Sequence, residues 1–356
     1  MTRDPLILQV LRAPELTGAL SLLQWDLLIR QARSANLLPR LESILARRDL
    51  LHVVPAQPGL HLEWARLTSM RHAQAVHTEV SRIREALPRL DLILLKGAAY
   101  TMAGLPAAAG RIFSDIDILI PKSALIDVES ALMAHGWMAT HHDSYDQRYY
   151  REWMHELPPL QHFIRQSVID VHHAILPQTM KVLPDPARLR AAAVEIKDYS
   201  QVKVLSPVDM VLHSGAHLFY ESEYHNGLRD LGDLDALLRD FSETAGFWID
   251  LAARASELGL TRSLFYALRY TRLLLDTPIP DAAITAAAVG SPAPIVLWLM
   301  DAMYLRALLP DHPSCADRGT RLARYSLYLR ATWLRMPPFQ LARHLFHKAV
   351  LNRKES

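Results

Sequence analysis

The run Asp115-Ile-Asp-Ile-Leu119 constrains this chain more than any other. Aliphatic residues alternate with two carboxylates, and a period of two belongs to a strand. Alternate side chains share a face, so Asp115 and Asp117 point one way while Ile116, Ile118 and Ile120 point the other. A strand does not bring two like charges together without a compensating partner, and a divalent cation is the obvious one. Upstream, the apolar run Leu92–Leu95 ends at Lys96-Gly97, which reads as a buried strand entering a turn.

At 356 residues, half of them apolar, the chain has ample material for a core and room for two or three compact units. Its 39 basic and 37 acidic side chains nearly cancel, giving a net charge of +2 and arguing against a bulk electrostatic nucleic-acid binder. The single cysteine, Cys315, excludes an intramolecular disulfide and fits a reducing compartment. At the N-terminus Arg12, Pro14 and Glu15 interrupt any signal-like apolar core. The most membrane-like segment, Ile295–Met300, is cut short by Asp301 and Arg306. The expectation is a cytoplasmic protein with no membrane insertion.

Three regions follow from pattern. Residues 1–88 read as helical, with apolar spacing of three and four in Leu20–Ala32 and Leu37–Leu45 and a longer helix over His61–Ala86. Residues 89–205 change character. Strands are expected over Leu92–Leu95, Phe113–Ile120, Gln161–Arg165 and Ser167–Val171, and a hairpin over Val194–Leu205. A helix is expected to begin at Gly97, and another to run from Ser123 to His135 with Gly136 as its stop. Residues 206–356 read as helical throughout: 208–220, 227–241, 246–258, 261–275, 281–288, 293–308 and 319–350. Ser206, Pro207 and Asp209 supply the start of the first of these. The predicted fold is α+β, a small mixed sheet flanked by an N-terminal and a larger C-terminal helical region.

The strand–turn–helix–loop–strand order around Lys96-Gly97 and Asp115-Ile-Asp117 resembles the core of the DNA polymerase β-like nucleotidyltransferase superfamily. The resemblance implies two Mg²⁺ ions (or Mn²⁺) on Asp115 and Asp117, with a third carboxylate from a later strand. Asp170, in Ser167-Val-Ile-Asp-Val-His172, is the one good candidate. It implies a triphosphate held by Lys96, Gly97, Arg111 and Ser114. The superfamily turn is usually Gly-Ser or Gly-Gly, whereas here Ala98 follows Gly97 and removes a hydroxyl, for which Lys96 is the candidate substitute.

More closely, Leu94-Leu-Lys-Gly97, Arg111-x-x-x-Asp115-Ile-Asp-Ile-Leu119 and Ile169-Asp-Val-His-His173 look like a bacterial nucleotidyltransferase family, NTP-transferase type 5. Trp25, Gln31-Ala-Arg33, His155-Glu-Leu-Pro158 and the closing Arg335-Met-Pro-Pro-x-x-x-Ala-Arg-His344 extend the resemblance over nearly the whole chain. It implies an NTP donor and a hydroxyl-bearing acceptor of unknown identity, whether small molecule, protein or RNA end.

Alternation puts His172 on the face of Asp170, where it could touch phosphate or acceptor, and His155 could reach the same cleft. His213 and His217 have a zinc-like spacing on one helix but lack a third ligand, which favours packing or substrate contact. Asp230 and Asp233 read as helix-capping residues or cleft-lining ones. Arg318, Arg321, Arg324, Arg330, Arg335, Arg343, Lys348, Arg353 and Lys354 form either a solvated basic face or a surface for an acidic partner. The expected activity is Mg²⁺-dependent transfer of a nucleoside monophosphate to a hydroxyl, with release of pyrophosphate. Two alternatives stand beside it: an inactive nucleotide-binding or scaffold protein of the same fold, and a toxin-like enzyme that modifies tRNA.

Overall fold

The computed structural model describes residues 4–140, 154–220 and 223–335. Seven strands form one mixed sheet: β1 (Leu92–Leu94), β2 (Asp115–Leu119), β3 (Trp137–Ala139), β4 (Leu160–His162), β5 (Val168–His172), β6 (Val194–Glu195) and β7 (Val202–Val204). Their spatial order is β3-β4-β5-β2-β1-β7-β6. The acid-bearing β2 therefore lies near the middle, antiparallel to β1 and parallel to β5. Ile116 and Ile118 are buried on the face away from the acids.

Helices lie on both sides of this sheet in the sequence, and the fold is α+β. Leu6–Arg12, Leu22–Ser34, Leu38–Arg47 and the 31-residue Ala56–Ala86 precede it. The long helix begins before His61 because Pro58 falls in its first turn, where no intrahelical amide is lost. Ser21 caps Leu22–Ser34 in a reciprocal arrangement with Gln24. Trp25 is fully buried. Buried Gln31 accepts from the Ile7 amide at 2.9 Å and donates to Ser314 at 2.8 Å, tying the first helix to a distant loop.

The C-terminal helices are Pro207–Tyr220, Gly227–Phe241, Phe247–Glu257, Thr261–Leu275, Asp281–Ala287, Pro294–Ala307 and Thr320–Arg335. Of the expected helix 319–350, the part after Arg335 lies outside the described residues. The first C-terminal helix starts with Ser206 accepting from the Asp209 amide at 3.3 Å. The Asp209 carboxylate, fully buried, is gripped at both oxygens by Arg254 at 2.8 and 3.0 Å. Among the described residues no single helix is long and apolar enough to cross a membrane. The pair Asp281–Gly290 and Pro294–Ala307, bent by 108°, meets that test only together.

Several strand bounds differ from expectation, and one strand is an addition. β2 starts at Asp115 rather than Phe113, because His72 of the long helix holds the Phe113 carbonyl at 3.0 Å. The strand expected over Gln161–Arg165 stops at His162, where the chain turns through Gln166 in the left-handed region and His162 N–H reaches the Ser167 carbonyl. The strand expected to start at Leu92 is as predicted but ends one residue earlier, since Leu95 becomes the N-cap of the next helix. The three residues of β3 are too few to show a period and were not expected.

The basic tail residues also find internal work. Arg324 pairs with Asp311 at 2.5 Å, Arg330 donates to the Phe219 carbonyl at 3.0 Å, and Arg335 donates to the Tyr220 carbonyl at 3.2 Å. A free basic face is therefore not what these three form. Arg343, Lys348, Arg353 and Lys354 lie outside the described residues.

Candidate active site

The parallel register of β2 and β5 places Asp115 opposite Val168 and Asp117 opposite Asp170. Asp115, Asp117 and Asp170 thus share one sheet face across two neighbouring strands. On the other side of β2, the Leu95 amide donates to the Asp117 carbonyl at 2.9 Å and extends the β1–β2 ladder by one step. The turn that follows sets Lys96 at a φ of 46°, a costly conformation for a side chain of that size. From there its ammonium reaches Asp117 Oδ1 at 2.7 Å. His172, next on the face after Asp170, donates from Nε2 to the same oxygen at 2.8 Å.

The segment before β4 adds a carboxylate that sequence reasoning missed. The Leu157 amide donates to the Val171 carbonyl at 2.9 Å, and Glu156 bridges to His172, so residues 155–157 run beside β5. The signal was present in His155-Glu-Leu-Pro158, but without a strand period Glu156 had no assignable direction. The His155 and His172 rings lie 5.3 Å apart.

Four carboxylates, Asp115, Asp117, Asp170 and Glu156, thus surround one ammonium and one imidazole. Burial, then Asp117 and Glu156, raises the Asp170 pKa to about 7. Asp115 is raised as well, by burial and then by Asp117. Burial works the same way on Asp117, but Lys96 and His172 outweigh it and hold its carboxyl well below the usual range. For Lys96 burial opposes the charge and Asp117 overcomes it, so its pKa is raised. Burial likewise opposes charge on His172, and Glu156 and Asp117 raise it. Asp170 Oδ1 is buried and has no hydrogen-bond partner. An excess of oxygen donors, one of them unpartnered, is a donor set suited to a hard divalent cation. The residues present fit such an ion.

A cleft of about 240 Å³ opens beside this cluster, lined by Lys96, Gly97, Ser114, Asp115, Asp117 and Arg111 on one side. His217, Asn226, Arg229, Asp230 and Asp233 face it from the C-terminal helices. Ser114 donates to Asp115 Oδ1 at 3.0 Å, which orients that acid. Arg111 is buried against Asp233, and its guanidinium carbon lies 5.8 Å from the Tyr100 ring centre and 5.9 Å from that of Phe113. Its Nε makes no hydrogen bond. Gly97 makes room for this packing: a Cβ there would lie 2.7 Å from Arg111 Nε and 2.7 Å from Phe113.

The simple capping role of Asp230 and Asp233 is corrected. Asn226 stands at that helix start without a side-chain cap, Asp230 pairs with Arg229 at 2.8 Å, and Asp233 pairs with Arg40 at 2.6 Å. Arg40, which sequence reasoning passed over, comes from the N-terminal helices. Gly110, at a φ of 65°, lets the loop before Arg111 touch the backbone there; a Cβ would meet the Pro39 carbonyl at 2.4 Å. Burial lowers the pKa of both Arg40 and Arg111 to about 10. His213 is buried, while His217 lines the cleft. Cys315 is half-buried with its thiol pushed up by burial, as befits an unreactive residue.

The fold and site define an α+β protein with a carboxylate face, a lysine at its turn and an arginine-lined cleft. The chain belongs to a family described as uncharacterised nucleotidyltransferases, whose model matches residues 21–276. The match includes every site residue named above and all seven strands. No curated protein and no solved structure matches the chain. Membership assigns it to nucleotidyl transfer as a general function and implies an NTP donor.

Proposed function

We propose that this protein transfers a nucleoside monophosphate from an NTP to a hydroxyl group of an acceptor in a Mg²⁺-dependent reaction that releases pyrophosphate. The observation that carries the proposal is the register placing Asp170 directly opposite Asp117, with Asp170 Oδ1 buried and unpartnered. Asp115, Asp117 and Asp170 would hold two Mg²⁺ ions. Bound there, the ions supply Lewis-acid polarisation of the α-phosphate and ease ionisation of the attacking hydroxyl.

The chain's own groups do the rest. Lys96 and Arg111 neutralise phosphate oxygens, and Ser114 holds Asp115 in its rotamer. Asp170, whose Oδ1 is buried and unpartnered, accepts the acceptor's proton. The cleft, at about 240 Å³, is smaller than the roughly 300–1,000 Å³ that encloses a whole small ligand. The phosphates therefore enter it and the nucleoside stays nearer its mouth.

Calorimetric titration of each NTP with Mg²⁺, on wild type and on the doubly substituted Asp115→Asn/Asp117→Asn chain, tests the reading. Binding that needs Mg²⁺ and disappears in the variant supports it and names the donor. Folded wild type that binds no NTP overturns it.

One observation favours a second reading. Asp117 Oδ1 is already engaged by both Lys96 and His172, and Ala98 brings no hydroxyl to the turn. A chain that binds nucleotide without turning it over would show NTP binding and no release of pyrophosphate with any hydroxyl acceptor.

A further inference from the structure

His155, Glu156 and His172 offer one ligand atom each, all within 4.8 Å of one another. Glu156 Oε2 lies 3.2 Å from His172 Nδ1 and 3.9 Å from His155 Nε2. Ligand atoms at the corners of a tetrahedral site with bonds of ~2.1 Å are ~3.4 Å apart, so the triangle is close to assembled. His172 is almost fully buried, and its Nδ1 makes no hydrogen bond despite its closeness to Glu156.

The reason lies on the other side of the ring. Nε2 is engaged by Asp117 Oδ1 at 2.8 Å, so Nδ1 is the ring nitrogen that faces Glu156 Oε2. Nδ1 and Oε2 need a cation between them, a ring proton or a metal ion, and His155 gives a metal ion a third donor. A histidine held by a carboxylate at one nitrogen and free at the other has the arrangement of a metal ligand with its outer partner in place. Two imidazoles and one carboxylate suit a transition-metal dication such as Zn²⁺ and not Mg²⁺, which takes oxygen ligands.

We propose that His155, Glu156 and His172 form a transition-metal site beside Asp115, Asp117 and Asp170 and joined to them through the His172–Asp117 hydrogen bond. Among the described residues the site has three protein ligands. A fourth position is left open, as in zinc sites that bind a water or a substrate oxygen.

The test uses the full chain with metal alone and no nucleotide. Co²⁺ is titrated while its visible absorption is followed, with Zn²⁺ as competitor. The expected result is one equivalent of Co²⁺ with the intense bands of a four- or five-coordinate site, displaced by Zn²⁺. Glu156→Gln and His155→Asn should each weaken binding by ~100-fold. Asp115→Asn should leave the bands unchanged, because Asp115 belongs to the carboxylate face. Circular dichroism and melting of each metal-free variant establish that it is folded. Absence of the bands in wild type overturns the proposal, as does binding that survives both substitutions or is lost in Asp115→Asn alone. Failure of Mg²⁺-dependent nucleotide binding leaves this result independent, since neither NTP nor Mg²⁺ is used.

Discussion

Arg40 and Asp233 lie 193 residues apart in the chain, yet their side chains meet at 2.6 Å in a buried site. Asp233 also faces Arg111, so a single carboxylate serves two guanidinium groups, one from the N-terminal helices and one from the cleft. Removing the carboxylate leaves both cations buried without their shared ion-pair partner, whereas removing Arg40 leaves a matched pair. Asp233→Asn should therefore cost more stability, about 3–5 kcal/mol, than Arg40→Met, about 1–2 kcal/mol. Urea denaturation of both variants checks the order. The reverse order would show that Arg111 does not depend on Asp233.

Gly97→Ala adds a methyl group where Arg111 Nε and Phe113 already lie 2.7 Å away. Backbone conformation is not the obstacle, since Gly97 is not among the glycines with positive φ. Arg111 or Phe113 must shift, at a cost of about 1–3 kcal/mol. The displaced guanidinium should weaken NTP binding as well. Thermal melting together with nucleotide titration measures both effects; an unchanged melt would show that the two side chains move aside freely.

The elements that were legible in the sequence were those with a sustained period. The alternation in Asp115–Leu119 fixed which face the acids take, and the C-terminal helices between Pro207 and Ala307 follow their apolar spacing to within a residue or two. The register between β2 and β5 was not legible. It joins residues about 53 apart through backbone hydrogen bonds that carry no side-chain signature. Arg40 and Glu156 were hidden for the same reason: their partners, Asp233 and His172, are brought to them by the fold alone. A charged residue within a helix reads as solvated until its burial is known, and Arg40 sits in Leu38–Arg47 between Pro39 and Leu41.

Asp170→Asn separates the stability of the site from its activity. The folded pKa of Asp170, about 7, lies above the unfolded value near 3.8. Its contribution to stability is complete below the unfolded value and is lost as pH rises through about 7, so at pH 8 the ionised carboxylate strains the metal-free fold. The amide should raise the stability of metal-free protein at pH 8 by ~2 kcal/mol, about half of what the shift alone would give, because a buried amide also needs partners. Nucleotidyl transfer should be lost in the same variant. A variant both less stable than wild type without metal and still active would remove Asp170 from the site.

His213 gives a pH dependence with a definite sign. Burial lowers its pKa far below the ordinary 6.5, Lys96, His217 and His172 lower it further, and Asp117 opposes them. The unfolded chain takes up a proton near pH 6.5 that the folded chain refuses. The contribution of His213 is therefore present above that pH and is lost as pH falls through it. Gln does not titrate, so the stability difference between wild type and His213→Gln isolates this residue from the carboxylates and from His172, whose shift runs the other way. Below pH 6.5 the difference should move against wild type by up to ~1.4 kcal/mol per pH unit. Urea denaturation at several pH values between ~5 and 8 measures it. A constant difference across that range would mean that His213 takes up its proton equally in the folded and unfolded chain, and that the face of Pro207–Tyr220 bearing it is open to water.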